Sequence, residues 1–184
     1  LYQSMLEETI SKIRGGQIDV LTSMDNQWSP QINLGVSVLI PEAYVADLDV
    51  RLGLYRRLSN LSKKVEFEGF AAELIDRFGK LPPEVNTLLL VVRIKSICKK
   101  AGIGKLDGGP KGATVQFHND KFISPEGLVE FIKKQNGLAK IKDNKLIIKR
   151  DWKKKSDKFK GAFSIARDLA EIAAFYQNNS PAKN

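Results

Sequence analysis

Chemistry needs acids, bases, nucleophiles or ligands at workable spacing, and the glycine-rich stretch GIGKLDGGPKGAT, residues 102–114, is the first place to look for it. A phosphate-binding loop needs a glycine five positions before the Gly-Lys pair and a Ser or Thr after it, to hold phosphates and magnesium. Here the pair is Gly104-Lys105, position 99 is lysine, and Leu106 follows. The dinucleotide spacing begun by Gly102 and Gly104 fails at Asp107. The stretch is therefore expected to be a loop and no more. One histidine, His118, and one cysteine, Cys98, cannot build a zinc cage. His118 ends an alternating run and is expected at a surface or edge, and no local sequence supports a Ser-His-Asp constellation around it. No catalytic residue, metal or cofactor is expected within these residues.

Two polar constellations remain. The first lies in ELIDRFGKLPPEV, residues 73–85, where a charged helix stops at Gly79 and two prolines precede an apolar one. With Phe67, Phe70, Leu74 and Phe78 on the buried stripe, the roughly 100° turn per residue puts Glu66, Glu73, Asp76 and Arg77 on the outer and flanking surface. Such a face is either merely solvated or meets a partner. Exposed ion pairs are worth only about 0–1 kcal/mol, so stability is a poor reason for any particular choice there.

The second is basic. The chain has 30 Lys and Arg against 21 Asp and Glu, a net charge of +9. Residues 133–160 hold twelve of the basic and three of the acidic ones, so the whole excess is local. Lys140, Lys142, Lys145, Lys149, Lys153, Lys154 and Lys155, with Trp152 among them, are candidates for nucleic-acid phosphates. Lysines on hairpin edges also guard against aggregation, and that reading stands beside the first.

The elements that must position these groups follow from periodicity. Residues 2–14 carry one apolar helix face, ended by Gly15-Gly16; 17–31 is a polar linker that Trp28 is placed to pin. INLGVSVLI, 32–40, alternates as a strand and stops at Pro41. Asp47 is placed to cap a helix whose face is Leu48, Leu52, Tyr55 and Leu58, and Ser62 to cap the next, over about 63–78. Gly69 costs that helix about 1 kcal/mol against roughly 6–12 kcal/mol gross from burying its four apolar side chains. Gly79 suits a left-handed cap with Leu81 folding back, and Pro82-Pro83 opens the most buried helix, 84–101, ended by Gly102. Beyond it, Ala113, Val115 and Phe117 alternate; Ser124-Pro125-Glu126 starts a short helix with Leu128, Phe131 and Ile132, closed by Gly137. LAKIK and KLIIK flank a two-residue turn, Asp143-Asn144. A terminal helix, 157–177, carries Phe159, Ala162, Phe163, Ala166, Leu169, Ala170, Ala173 and Tyr176, and the end, 179–184, is expected to be a disordered tail.

The sum is α+β: a helical part with a short strand, then a small antiparallel sheet with an inserted helix, closed by a long C-terminal helix. The division expected is 1–31 as helix and linker from a preceding module and 32–178 as one domain, helical over 32–104 and sheet plus closing helix over 105–178. With 42% hydrophobic residues, 28% charged and no apolar run near the roughly 20 residues a bilayer needs, a soluble protein without membrane contact is expected. A lone cysteine, Cys98, with Ile97 and Ile94 as neighbours reads as a small buried hydrophobe and fits a reducing, cytoplasmic location. A start at Leu1 with helix periodicity at once reads as a piece of something longer.

VSVLIPEAYVADLDVRLGLYRRLSN, then AAELIDRFGKLPPEVNTLLLVVRIKSICKKAGIGKLD, then GGPKGATVQF together resemble the C-terminal, regulatory domain of bacterial transcription-repair coupling factors, over most of 32–118 and more loosely beyond. The order and spacing of LIP, LYRRL, ELIDRFG and LP carry the resemblance. It implies a parent protein that is an ATP-driven translocase on duplex DNA, with ATP and magnesium in its motor, that removes stalled RNA polymerase and recruits the UvrA damage-recognition protein for nucleotide excision repair. The motor modules are missing here. The C-terminal domain, the resemblance further implies, is a lid: it docks on an N-terminal repair-protein-like domain of the same chain and hides the UvrA-binding surface. The family's docking contacts lie on the ELIDRFG helix, which carries over to Glu73, Asp76 and Arg77.

Overall fold

The computed structural model describes residues 28–36 and 38–180. The helix read over 2–14, most of the linker 17–31 and residues 181–184 lie outside the described residues. Those described fall into two compact units, one of 28–29 and 35–96, the other of 30–34 and 97–180.

The first unit holds α1 (Leu48–Ser59), α2 (Lys64–Phe78) and most of α3 (Pro83–Ala101). Asp47 caps α1 as its side chain promised, its carboxylate accepting the Val50 N–H at 2.9 Å. Leu52, Leu54, Tyr55 and Leu58 are buried. The start of α2 falls one residue later than Ser62 suggested. Lys63 is the N-cap because Glu66 reaches back to accept its N–H at 3.0 Å, and Ser62 donates its hydroxyl to the same carboxylate at 3.3 Å. Phe67, Phe70 and Leu74 are buried beneath α2.

At the other end of α2, Gly79 has φ +91° and ψ −167°. That is a region open to glycine but not the compact left-handed conformation expected of a helix cap. The Tyr44 hydroxyl ties down this end of α2: it lies 2.7 Å from the Gly79 oxygen and 3.1 Å from that of Leu74. Pro82 then accepts the N–H groups of Val85 and Asn86, both at 3.1 Å, so α3 opens on Pro83 as the two prolines required. Val85, Leu88, Val91, Val92, Ile94, Cys98 and Ala101 of α3 are all buried, and Gly102, with φ +73°, ends it. Burial pushes the Cys98 thiol far up from its ordinary range, which makes it an inert filler.

The strand read over 32–40 is corrected to β1, Gln31–Asn33. Leu34, Val38 and Ile40 are buried as the alternation predicts, but Gly35, at φ +69°, turns the chain out of the ladder. An extended segment can alternate without pairing; here the Ile40 N–H donates to the Tyr55 hydroxyl at 2.6 Å instead of to a strand.

The second unit is a five-stranded sheet in the order β1-β2-β3-β5-β4, with β2 Ile103–Gly109, β3 Gly112–Phe117, β4 Ala139–Lys142 and β5 Lys145–Lys149. Because β1 runs parallel to β2, the sheet is mixed and not purely antiparallel. The glycine-rich stretch read as a loop is a hairpin, β2 to β3. A register shift between Ile103 and Lys105 breaks the period of two, so the buried residues Ile103 and Leu106 stand three apart and hide the strand from sequence. Gly108 is demanded by packing: a Cβ there would lie 2.6 Å from the Leu34 side chain.

Asp143 and Asn144, at φ +53° and +62°, make the two-residue turn expected between β4 and β5. Ser124 caps α4 (Pro125–Lys134), accepting the Gly127 N–H at 3.0 Å. Helix α5 (Lys155–Asn179) buries Phe159, Ala162, Ile165, Ala166, Leu169 and Ala173, and contacts β2 and α4. Asn179, read as tail, is its last residue. The architecture is α+β.

Candidate functional site

Helix α2 presents the charged face. Phe70 and Leu74 hold its inner stripe, so Glu73 between them leans toward α1, where Arg57 is waiting. Arg57 donates to both carboxylate oxygens of Glu73, Nη1 to Oε2 at 2.6 Å and Nη2 to Oε1 at 2.8 Å. One turn on, Arg77 Nη1 donates to the same Oε2 at 3.2 Å. Both guanidinium groups also lie over rings, Arg57 5.2 Å from the Phe70 centroid and Arg77 4.9 Å from that of Phe78. Phe78 is itself met edge-on by Tyr44, with centroids 5.7 Å apart.

The electrostatics follow from this fork. The hydrogen bonds from Arg57, followed by that from Arg77, hold the Glu73 carboxyl down at about 2. Glu73 raises the Arg57 guanidinium in turn. The surface stays wet: side-chain exposures are 50% for Arg57, 36% for Glu73 and 44% for Arg77. Asp76 is exposed beside them and has no hydrogen-bond or ion-pair partner among the described residues. The face can therefore offer a fixed, preorganised arginine pair and one unsatisfied carboxylate.

The structure thus brings Glu73 and Arg77 together and leaves Asp76 beside them, pointing to no internal use. Arg57 and Tyr44 belong to the same site and were missed. Arg57 stands within the LYRRL run, but a pair sixteen residues apart on two helices leaves no spacing signal in one sequence. Glu66 has a structural job as the return half of the α2 cap.

The seven lysines singled out in the basic segment are all exposed, and Trp152, expected among them, is 5% exposed. A Cβ added at Gly161 would lie 2.3 Å from the Trp152 ring, so the indole is seated against that glycine and is no stacking platform. Among the described residues no group of three or more His, Cys, Asp and Glu side chains is placed to hold a metal ion. No helix among them is long and apolar enough to cross a membrane.

Residues 34–128 match the TRCF domain model. The chain belongs to the TRCF domain family. Its relatives agree: over 148 residues it is 45% identical to the transcription-repair-coupling factor of Rickettsia conorii (strain ATCC VR-613 / Malish 7), covering 80% of this chain and 13% of that protein. Over 135 residues it is 32% identical to the transcription-repair-coupling factor of Escherichia coli (strain K12), covering 73% of this chain and 12% of that protein. The chain thus spans about an eighth of the length of these curated relatives. Its fold is similar to the crystal structure of a C-terminal domain of transcription-repair coupling factor, with TM-score 0.67 over 83% of this chain and 98% of that one at 20% identity. The TRCF match encloses the Arg57–Glu73–Arg77 cluster and Asp76. It stops before all seven lysines.

Proposed function

We propose that this TRCF domain is a regulatory, autoinhibitory interaction module. It docks through the charged face of α2 on an N-terminal repair-protein-like domain of the same parent chain, and so covers the surface that binds UvrA. In this reading the parent is an ATP-dependent DNA translocase, with ATP and magnesium in a motor outside these residues, that displaces stalled RNA polymerase and hands the site to nucleotide excision repair. The domain regulates and does not catalyse.

The observation that carries the reading is the unequal commitment of the three charged side chains. Glu73 is saturated by arginines, Arg77 keeps donors to spare after one bond, and Asp76 has no partner among the described residues. Arg57 and Arg77, already held over rings, lose less side-chain entropy on docking than free arginines would. Charge-assisted hydrogen bonds from Asp76 and Arg77 then supply orientation more than bulk affinity.

The test uses the full-length parent protein with both charges reversed, Asp76→Arg and Arg77→Glu. Helix α2 keeps its buried stripe, so folding is retained, and capture of UvrA rises above that of the unaltered protein. A variant that folds and captures UvrA no better contradicts the lid.

A further inference from the structure

The lysines of the β4–β5 hairpin are left unused by the docking role. Edge protection explains only part of them. In the sheet order β1-β2-β3-β5-β4, Lys140 and Lys142 lie on the edge strand β4, where lysine is a common guard. Lys145 and Lys149 lie on β5 and Lys105 on β2, both interior strands with no edge to protect.

Register puts all five on one side of the sheet. Lys142 stands opposite Lys145, Lys140 opposite Ile147, Ile147 opposite Thr114 and Lys105 opposite Gln116, and residues directly opposite share a face. The other side carries the buried Leu106, Val115, Leu146 and Ile148. The lysine side is therefore a continuous outward surface, with strands about 4.8 Å apart and same-face residues of one strand about 7 Å apart.

Its charges are not balanced. Lys105 has one long ion pair, 3.8 Å to Asp107, and the four hairpin lysines have none among the described residues. Like charges directly opposite, as Lys142 and Lys145 are, weaken a sheet. The arrangement works against the fold it sits on, and an external polyanion would relieve it.

We propose that this sheet face, through Lys105, Lys140, Lys142, Lys145 and Lys149, is a binding surface for the phosphate backbone of duplex nucleic acid. The duplex is favoured over a single strand because the lysine face carries no aromatic side chain on which unpaired bases would stack, Trp152 being buried. Contacts of ammonium groups to phosphates carry no base readout, so binding is independent of sequence. Lys153, Lys154 and Lys155 lie outside the sheet, at the start of α5, and are not part of the surface.

The experiment measures binding of a short labelled DNA duplex of arbitrary sequence to the 184-residue chain across a salt series, with circular dichroism confirming the fold of each variant. Four to five phosphate contacts give a slope of about −4 in log affinity against log salt, or about a 250-fold loss between 50 and 200 mM. Lys145→Glu with Lys149→Glu is expected to weaken binding at least tenfold at low salt, and Lys153→Glu with Lys154→Glu and Lys155→Glu less than threefold although it reverses more charge. The proposal is overturned if the duplex is not bound at low salt, if the second variant loses as much as the first, or if single-stranded DNA of the same length binds more tightly. It is also overturned if vesicles of anionic lipid bind with the same lysine dependence while the duplex does not. None of these outcomes bears on UvrA capture, so the docking role stands or falls separately.

Discussion

The α2 face and the β4–β5 hairpin are both charged, exposed and built on a buried apolar floor, yet they treat charge in opposite ways. On α2 Glu73 is held between Arg57 and Arg77, and Asp76 beside them is the one charge of the cluster left without a partner among the described residues. On the hairpin, lysine faces lysine. A surface that has paired its charges in advance presents a fixed shape with few free groups, which suits one geometrically defined partner. A surface that leaves like charges unpaired presents a field, which suits any polyanion. Binding of either kind acts on groups that contribute little to folding, so the two surfaces can be altered without losing the domain.

The largest expected effect falls on a support instead of a surface. Gly161→Ala drives a Cβ to 2.3 Å from the buried Trp152 ring, and thermal or denaturant unfolding should show a loss of about 3 kcal/mol. Next is charge reversal on α2. Glu73→Lys places three cations together where a fork stood, and its expected cost is about 1–2 kcal/mol, read in the same way.

The pH dependence of that fork comes third. Glu73 has its carboxyl lowered from 4.5 to about 2 in the fold, so the unfolded chain takes up the proton first. The stabilisation is present above pH 4.5 and is lost as pH falls toward 2. In Arg57→Ala the stability curve should be flatter across that window than in the unaltered chain.

The smallest effect has the opposite sign and sharpens the contrast most. Lys145→Glu replaces a like-charged cross-strand pair with Lys142 by an opposite one, and equilibrium unfolding should show a gain of about 0.5 kcal/mol. Reversing a charge thus weakens the α2 face and strengthens the hairpin. Equal signs in the two places would erase the comparison.

What the sequence made legible was local. Caps and turns declare themselves within four residues, which is why Asp47, Ser124, Pro82-Pro83 and Asp143-Asn144 do in the structure what their types suggest. The outward position of Asp76 and Arg77 followed from the helix period alone. The larger misses turn on a backbone conformation or on a distant atom, neither of which a residue's type declares. The ladder ends at Asn33 because of one glycine conformation, although the alternation runs on to Ile40. β2 was hidden by a bulge and by Gly108, whose reason is the side chain of Leu34 far away in sequence. Arg57 and Tyr44 enter the site only through contacts sixteen and thirty or more residues away. Trp152 looked like part of a basic surface because its seat, Gly161, lies in the next helix.

The proposed docking role is tested most directly in trans, by measuring binding of this chain to the N-terminal repair-protein-like domain proposed for the parent protein, produced separately. The unaltered chain should bind, Asp76→Arg with Arg77→Glu should lose binding at least tenfold, and Lys145→Glu with Lys149→Glu should bind as the unaltered chain does. Equal binding by the two variants, or loss through the hairpin lysines alone, would contradict the assignment of docking to α2.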